Sequence, residues 1–121
     1  VSRALKASKE AGAWFEGLIA KYLAERLNDD RIERRRLQGA NDRGDIASLR
    51  VHGQRVVVEC KEYGGRYEIG PWLTEAERER INDQALAGVV VAKRRSTRRP
   101  EEQVVIMTMQ DFTAILTGTR E

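Results

Sequence analysis

The chain has 121 residues, of which 40% are hydrophobic and 34% are charged, with a formal net charge of +3. This size and balance predict a single soluble globular domain over residues 1–121 and exclude a disordered tail. The longest apolar run, "ALAGVVVA", is too short for a membrane helix, and the lone Cys60 excludes a disulfide framework and a multi-cysteine metal site. We therefore expect a cytoplasmic protein that has no membrane partner.

The first predicted element is a helix over residues 8–28. Its apolar side chains recur at the helical spacing of three and four residues: Trp14, Phe15, Leu18, Ile19, Tyr22, Leu23 and Leu27. This stripe is typical of a helix that packs on a sheet, with Trp14 and Phe15 in the core. Beside the stripe lies Glu16, flanked by Gly12 and Ala20, whose small size would let another surface approach the carboxylate. The alternative is an exposed helix glutamate.

Strands are predicted to follow the helix, which stops at "NDD". The segment "RIERRRLQ" favours a short charged strand and "GANDRG" a loop. "DIASLRV" and "RVVVECK" then predict two strands joined by a tight turn around "HG". His52 lies in that turn, so we interpret it as an exposed turn residue and not as a metal ligand.

The second half of the chain predicts a crossover. A glycine-rich loop spans residues 63–71, and Thr74 with Glu77 forms a capping-box pattern for a helix over residues 75–87. "GVVVAK" predicts a strand buried on both faces, "QVVIMTM" another strand, and "DFTAIL" a short final helix. The order α-β-β-β-α-β-β-α predicts an α/β fold. Its central mixed sheet contains a parallel crossover between the third and fourth strands.

Charged residues end the apolar strand "RVVVECK". Glu59 and Lys61 share one face of this strand because strand side chains alternate. A three-residue loop of Val51, His52 and Gly53 would place Asp45 directly opposite Glu59. Two carboxylates at that distance repel each other, so the pattern predicts a cation between them.

Mg²⁺ suits this arrangement because it prefers oxygen ligands, and Mn²⁺ is expected to substitute for it. Asp45, Glu59 and the carbonyl of Cys60 would supply ligands. Lys61 would lie beside the metal, where it can orient a water or stabilise charge on a phosphate oxygen. The pattern therefore indicates phosphodiester hydrolysis. The alternative is an edge-strand salt bridge between Glu59 and Lys61.

Positive charge is concentrated in two segments. Residues 31–36, "RIERRR", carry four arginines, and residues 93–99, "KRRSTRR", carry five positive charges. Each segment alone fits a solvated surface, but arginine clusters also match phosphate geometry. The candidate DNA-binding residues are Arg34, Arg36, Arg43, Lys93, Arg94, Arg95, Arg98 and Arg99. Tyr63, Tyr67 and Trp72 would stack on bases, form a partner interface or cover the sheet edge.

The pattern of "GDI" followed by "VVVECK", with thirteen residues between Asp45 and Glu59, resembles the PD-(D/E)XK nuclease superfamily, within it the Holliday junction resolvase-like members. The resemblance covers roughly residues 10–93, and Gly44 replaces the proline of the motif. It implies a restriction-endonuclease-like α-β-β-β-α-β core. It also implies that Asp45 and Glu59 bind metal, that Lys61 is the catalytic lysine, and that Glu16 in "AWFEGLIAKYL" assists from the first helix.

The function expected from this resemblance is metal-dependent DNA cleavage, selective for Holliday or other branched junctions. A homodimer is expected because one small site needs two copies to cut two strands, and no small-molecule cofactor is expected. The sequence offers no separate recognition segment, which favours reading DNA shape. The alternatives are a weak or inactive DNA-binding module on the same fold and a sequence-specific restriction-type or nicking endonuclease. Gln84 is a further candidate by analogy with a glutamine motif of related exonucleases, although Gly88 replaces its expected aromatic partner.

Overall fold

A computed structural model describes residues 2–35 and 42–121 of the chain. In chain order these residues form α1 (Arg3–Leu27), β1 (Glu33–Arg34), β2 (Ile46–Ala47), β3 (Arg50–Val51), β4 (Gln54–Lys61), α2 (Ile69–Asp83), β5 (Ala87–Ala92), a 3-10 turn (Pro100–Glu102), β6 (Val104–Ile106) and α3 (Met109–Thr117). The predicted order is confirmed, except that "DIASLRV" is divided into β2 and β3. None of the helices in these two ranges is long and apolar enough to span a bilayer.

The central sheet is mixed, with strand order β3-β4-β5-β6, and β1 pairs with β2 in a small antiparallel sheet. β4 and β5 are parallel, while the β3–β4 and β5–β6 pairs are antiparallel. Because α2 connects the two parallel strands, the predicted crossover is confirmed. The fold class is therefore mixed α/β, as the sequence predicts.

Helices cover both faces of the β4–β5 pair. On one face, Phe15 and Ile19 of α1 pack in a core cluster with Val56, Val58 and Cys60 of β4. On the other face, α2 contributes Trp72 and Ala76, which pack against Val90 and Ala92 of β5. Since strand side chains alternate, Glu59 and Lys61 point toward α2. This packing brings the charged end of β4 under the start of α2.

Both long helices begin earlier than the sequence predicts. α1 begins at Arg3 because the hydroxyl of Ser2 accepts the backbone N–H of Leu5 and caps the helix. α2 begins at Ile69, so the predicted capping box at Thr74 is wrong. The hydroxyl of Thr74 instead donates to the carbonyl of Gly70 inside the helix. Pro71 lies in the first turn of α2, where proline is tolerated. The glycine-rich loop therefore ends before residue 69 and not at the predicted residue 71.

The hairpin before β4 also differs from the prediction. Val51 pairs with Gln54, so the turn contains two residues, His52 at φ 52° and Gly53 at φ 73°. Two positive φ values are typical of the tight turns that match strand twist. Ser48, at φ 71°, separates β2 from β3, and the backbone N–H of Asp45 donates to the carbonyl of Val58. The expected direct opposition of Asp45 and Glu59 is therefore wrong.

Candidate active site

A cavity of about 690 Å³ opens at the carboxyl end of β4, next to the first half of α1. Its walls include Glu16, Asp45, Glu59, Cys60 and Lys61. The structure therefore brings the four side chains predicted to be catalytic to a single cavity, together with the residue whose carbonyl was predicted as a ligand. The other lining residues come from α1 and from the loop after β4: Ala7, Ser8, Ala11, Gly12, Glu62, Tyr63, Gly64 and Arg66.

A hydrogen bond from the backbone of β4 holds the side chain of Asp45 in this cavity. Its Oδ2 accepts the N–H of Cys60 at 2.8 Å, which holds the carboxylate at the edge of β4. Burial raises the pKa of Asp45 to about 6, and the nearby charge of Glu16 adds to the rise, while the Cys60 N–H opposes it. Asp45 thus meets the other carboxyl groups from its position directly before β2, although the register differs from the prediction.

The carbonyl of Cys60 points toward the same side of β4 as Asp45. The N–H and C=O of one strand residue are directed to the same neighbouring strand. The N–H of Cys60 bonds Asp45, whereas the carbonyl of the next residue, Lys61, accepts from Lys93 on the β5 side. An oxygen from Cys60 is therefore directed to the place where Asp45 lies, and the predicted donor set is compatible with a hard cation.

Glu59 is almost fully buried, with 5% of its surface exposed. Its Oε2 lies 3.2 Å from Nζ of Lys61, whereas its Oε1 has no hydrogen-bond partner among the described residues. Burial, and after it the charge of Asp45, raise the pKa of Glu59 to about 11, while the charge of Lys61 opposes this rise with a smaller effect. A buried carboxylate with an unpaired oxygen is costly, and a bound cation would remove that cost.

Lys61 lies between two carboxylates. Its Nζ is 2.6 Å from Oε1 of Glu75 and 3.2 Å from Oε2 of Glu59. Burial alone would lower the pKa of the Lys61 amine, but the hydrogen bond to Glu75 and the charge of Glu59 raise it. The ammonium form is therefore favoured. The salt bridge considered as an alternative is present, and Glu75 extends it beyond the strand.

The sequence reasoning missed three acidic residues of this region, Asp42, Glu75 and Glu79. Glu75 and Glu79 occupy the buried stripe of α2 together with Trp72 and Ala76, at the three- and four-residue spacing of one helix face. Burial would raise the pKa of Glu75, but the hydrogen bond from Lys61 and the positive charge of Lys61 lower it. Carboxylates inside an apolar helix stripe were the available signal, which the wrong start of α2 concealed.

Glu16 has a basic partner. Nε of Arg34 donates to its Oε1 at 3.0 Å, and one fifth of the Glu16 side chain is exposed. Because β1 carries Arg34 and pairs with β2, the small sheet holds this arginine next to α1. Arg34 thus neutralises one carboxylate of the cavity.

The other predicted DNA-binding residues are distributed around the site. Arg43 lies 3.7 Å from Asp83, and Arg36 falls outside the described residues. In the segment of residues 93–99, Lys93 is half-buried. The four arginines of the segment are exposed: Arg94, Arg95, Arg98 and Arg99. The guanidinium of Arg98 stacks on Trp14 at 4.2 Å from the ring centre. The backbone of Gly65 packs closely against Arg95, since a Cβ added to this glycine would lie 2.8 Å from Cβ of Arg95. The basic segment therefore contacts the loop after β4, which borders the cavity.

Three further predictions concern residues near the site. Gln84 caps the far end of α2 in a left-handed conformation, is exposed, and does not line the cavity. His52 is an exposed turn residue as predicted, and its Nε2 lies 2.8 Å from the carbonyl of Ile115. Trp72 belongs to α2 and covers the sheet, while Tyr63 and Tyr67 pack against it and stay about two-fifths exposed.

Comparisons with protein-family models, with curated proteins and with solved structures give no match to this chain.

In chelator, the free energy of unfolding should fall as pH rises from about 4.5 to about 8. Burial raises the pKa of Glu79 from 4.5 to about 8, so the folded state holds a proton that the unfolded state releases. Stability from such a proton is full below the unfolded pKa and is lost as pH rises through the folded pKa. Asp45 and Glu59 shift in the same direction.

Urea unfolding at the two ends of this pH range measures the effect, which should be on the order of a few kcal/mol. Glu79→Gln should flatten the pH dependence, whereas Glu68→Gln, an exposed residue just before α2, should leave it unchanged. A protein that gains stability across the range would contradict the burial of these carboxyl groups.

Proposed function

We propose that this protein is a Mg²⁺-dependent endodeoxyribonuclease that hydrolyses phosphodiester bonds and prefers branched DNA such as four-way junctions. The observation that carries the proposal is the convergence of Asp45, Glu59 and Lys61 on one cavity, where Glu59 has a buried unpaired oxygen. The preference for junctions rests on the resemblance of "GDI" and "VVVECK" to resolvase-like nucleases. A homodimer is part of the same proposal because two strands need two sites.

The proposed roles follow from the contacts of each residue. Asp45, Glu59 and the Cys60 carbonyl would hold the cation, which when bound polarises a phosphate oxygen and lowers the pKa of a water molecule. Lys61 would donate to the attacked phosphate or to the attacking water from its position beside Glu59. Glu75 would hold the ammonium group in place. Glu16 would assist from α1, with its charge balanced by Arg34.

One observation favours a second candidate, a DNA-binding module with little or no turnover. Lys61 is only 9% exposed and both of its carboxylate partners lie within 3.2 Å, so its ammonium group is already engaged. In the proposed enzyme, a cation that draws Glu59 away would free one side of Lys61 to act on phosphate. In the binding module this rearrangement would not occur.

The two candidates are separated by incubating the protein with labelled four-way junction, linear duplex and single strand, each with Mg²⁺, with Mn²⁺ and with chelator. The enzyme should cut the junction fastest, and only when metal is present. Tight junction binding without cleavage in either metal would favour the binding module. Equal cleavage of all three substrates would remove the preference for branched DNA while leaving the nuclease proposal intact.

The segment of residues 93–99 should contribute to DNA affinity. Replacing Arg94, Arg95, Arg98 and Arg99 by alanine should weaken binding to every DNA sequence and flatten its salt dependence by up to about 0.9 for each phosphate that is no longer neutralised. Gel-shift titrations at several salt concentrations measure the slope. Lys21→Ala with Arg26→Ala removes exposed charges from the second half of α1 and serves as the control. An unchanged slope of affinity against salt concentration would show that residues 93–99 are solvated surface and do not contact phosphates.

A further inference from the structure

A second group of carboxylates lies on the α2 side of Glu59. Asp42, Glu59 and Glu79 each place one carboxylate oxygen so that all three atoms lie within 4.8 Å of one another. Asp42 comes from the segment before β2, Glu59 from β4 and Glu79 from α2. Like charges at this distance repel, so this grouping in the folded protein needs a counter-charge or a proton.

Glu79 points to a ligand independently of this clustering. It is completely buried, and neither of its carboxylate oxygens has a hydrogen-bond partner within residues 2–35 and 42–121. Glu59 contributes one oxygen to the same group, and its Oε1 is likewise buried and unpaired among the described residues. Buried polar atoms in folded proteins are almost always paired, and an unpaired carboxylate is among the most expensive exceptions. An occupant between Glu59 and Glu79 would pair three such oxygens.

The spacing of these oxygens matches a hard divalent cation. Ligand oxygens on opposite sides of Mg²⁺ are about 4.2 Å apart, and on opposite sides of Ca²⁺ about 4.6 to 5.2 Å apart. Because the three oxygens lie within 4.8 Å of one another, the grouping is compatible with either ion. Asp42 is only half-buried, so water can reach the group and complete the coordination.

We propose that Asp42, Glu59 and Glu79 form a second divalent-cation site, distinct from the Asp45 side of Glu59. The cation would tie α2 to β4 and to the segment before β2. The side chain of Asn82 in α2 donates to the backbone carbonyl of Asp42, so α2 and the segment before β2 are already in contact without metal. The site shares Glu59 with the proposed catalytic centre, but its existence does not depend on DNA cleavage.

The competing occupant is a proton shared between Glu59 and Glu79. A protonated carboxyl would donate to its neighbour and would pair two of these three oxygens without any metal. The two occupants differ in their response to metal ions. A cation site should bind metal with an affinity that needs both Asp42 and Glu79, whereas a shared proton does not involve Asp42.

Titration of the intact protein with Mn²⁺ alone, followed by electron paramagnetic resonance and calorimetry, tests the proposal without DNA. Native protein should bind two Mn²⁺ ions. Glu79→Gln and Asp42→Asn should each bind one ion, and Asp45→Asn should also bind one, at the other site. Combining Asp45→Asn with Glu79→Gln should abolish binding. Glu68→Gln removes the same charge outside the cluster and should still bind two.

The variants also separate this proposal from the nuclease proposal. One Mn²⁺ in native protein and in Glu79→Gln, together with none in Asp45→Asn, would overturn the second site and leave the catalytic site standing. Two ions in native protein with no DNA cleavage would support the second site and count against the nuclease. If Glu79→Gln does not fold, Asp42→Asn provides the same test, because Asp42 is only half-buried. Binding of two Mn²⁺ ions by Asp42→Asn would overturn the proposal.

Discussion

Glu59→Gln should reduce DNA cleavage on the order of 10²-fold or more and should weaken metal binding with it. Glu59 borders both Asp45 and Glu79, and its Oε1 has no partner among the described residues, so glutamine would remove a charged ligand while nearly preserving shape. Folding should survive because burial raises the pKa of Glu59 so far that its carboxyl group is already neutral without metal, and glutamine is a neutral group of the same shape. Nicking of supercoiled plasmid and Mn²⁺ titration measure the two effects.

DNA binding in chelator provides the control for this variant. Without metal the raised pKa of Glu59 keeps its carboxyl group neutral, so glutamine changes no charge and the affinity of Glu59→Gln for junctions should equal that of the native protein. Glu62→Gln is a matched change because Glu62 also lines the cavity but lies beyond the end of β4, and it should still cleave. Native-like cleavage by Glu59→Gln would place the metal site elsewhere.

Lys61→Ala should also reduce cleavage, by about 10²- to 10⁴-fold, but should leave metal binding largely intact. The ammonium group of Lys61 is not a metal ligand, and its loss removes a positive charge that competes with a cation for Glu59. Mn²⁺ affinity should therefore stay equal or rise. Parallel measurement of plasmid nicking and Mn²⁺ affinity separates this role from the ligand role of Glu59.

Glu75→Gln tests whether the position of Lys61 matters as well as its charge. Glutamine at this position retains an oxygen that can accept from Lys61 but loses the ion pair at 2.6 Å. Cleavage should fall less than in Lys61→Ala, by roughly 10-fold to 100-fold, as for other residues that orient a catalytic group. If Lys61→Ala cleaves as fast as the native protein, Lys61 has only a structural role in the salt bridge with Glu59 and Glu75.

Much of the fold could be predicted because it follows from periodic patterns. The stripe from Trp14 to Leu27 specified α1, and the valine runs before Glu59 and after Gly88 specified two buried strands. Helix starts were less predictable because they depend on single contacts. Ser2 extends α1, and the start of α2 at Ile69 was hidden by glycines that usually favour loops.

The candidate site was predictable where one strand carries it. Glu59 and Lys61 share a face of β4 through simple alternation, and their convergence with Asp45 could be expected from the motif. The pairing that brings Asp45 beside β4 was not predictable. It depends on the two-residue turn before β4 and on the break at Ser48 between β2 and β3. The role of Glu79 depends on how α2 lies across β4; its place in the apolar stripe of α2 was the one local signal, and the wrong start of that helix concealed it.

The central proposal is metal-dependent hydrolysis at Asp45, and one measurement tests it most directly. Native protein and Asp45→Asn, purified identically, are incubated with a labelled four-way junction in Mg²⁺ and in chelator, and the cut strands are counted. The native protein should cut only in Mg²⁺, and Asp45→Asn should bind the junction without cutting it. Cleavage that persists in Asp45→Asn, or native protein that binds the junction and never cuts it, would contradict the proposal.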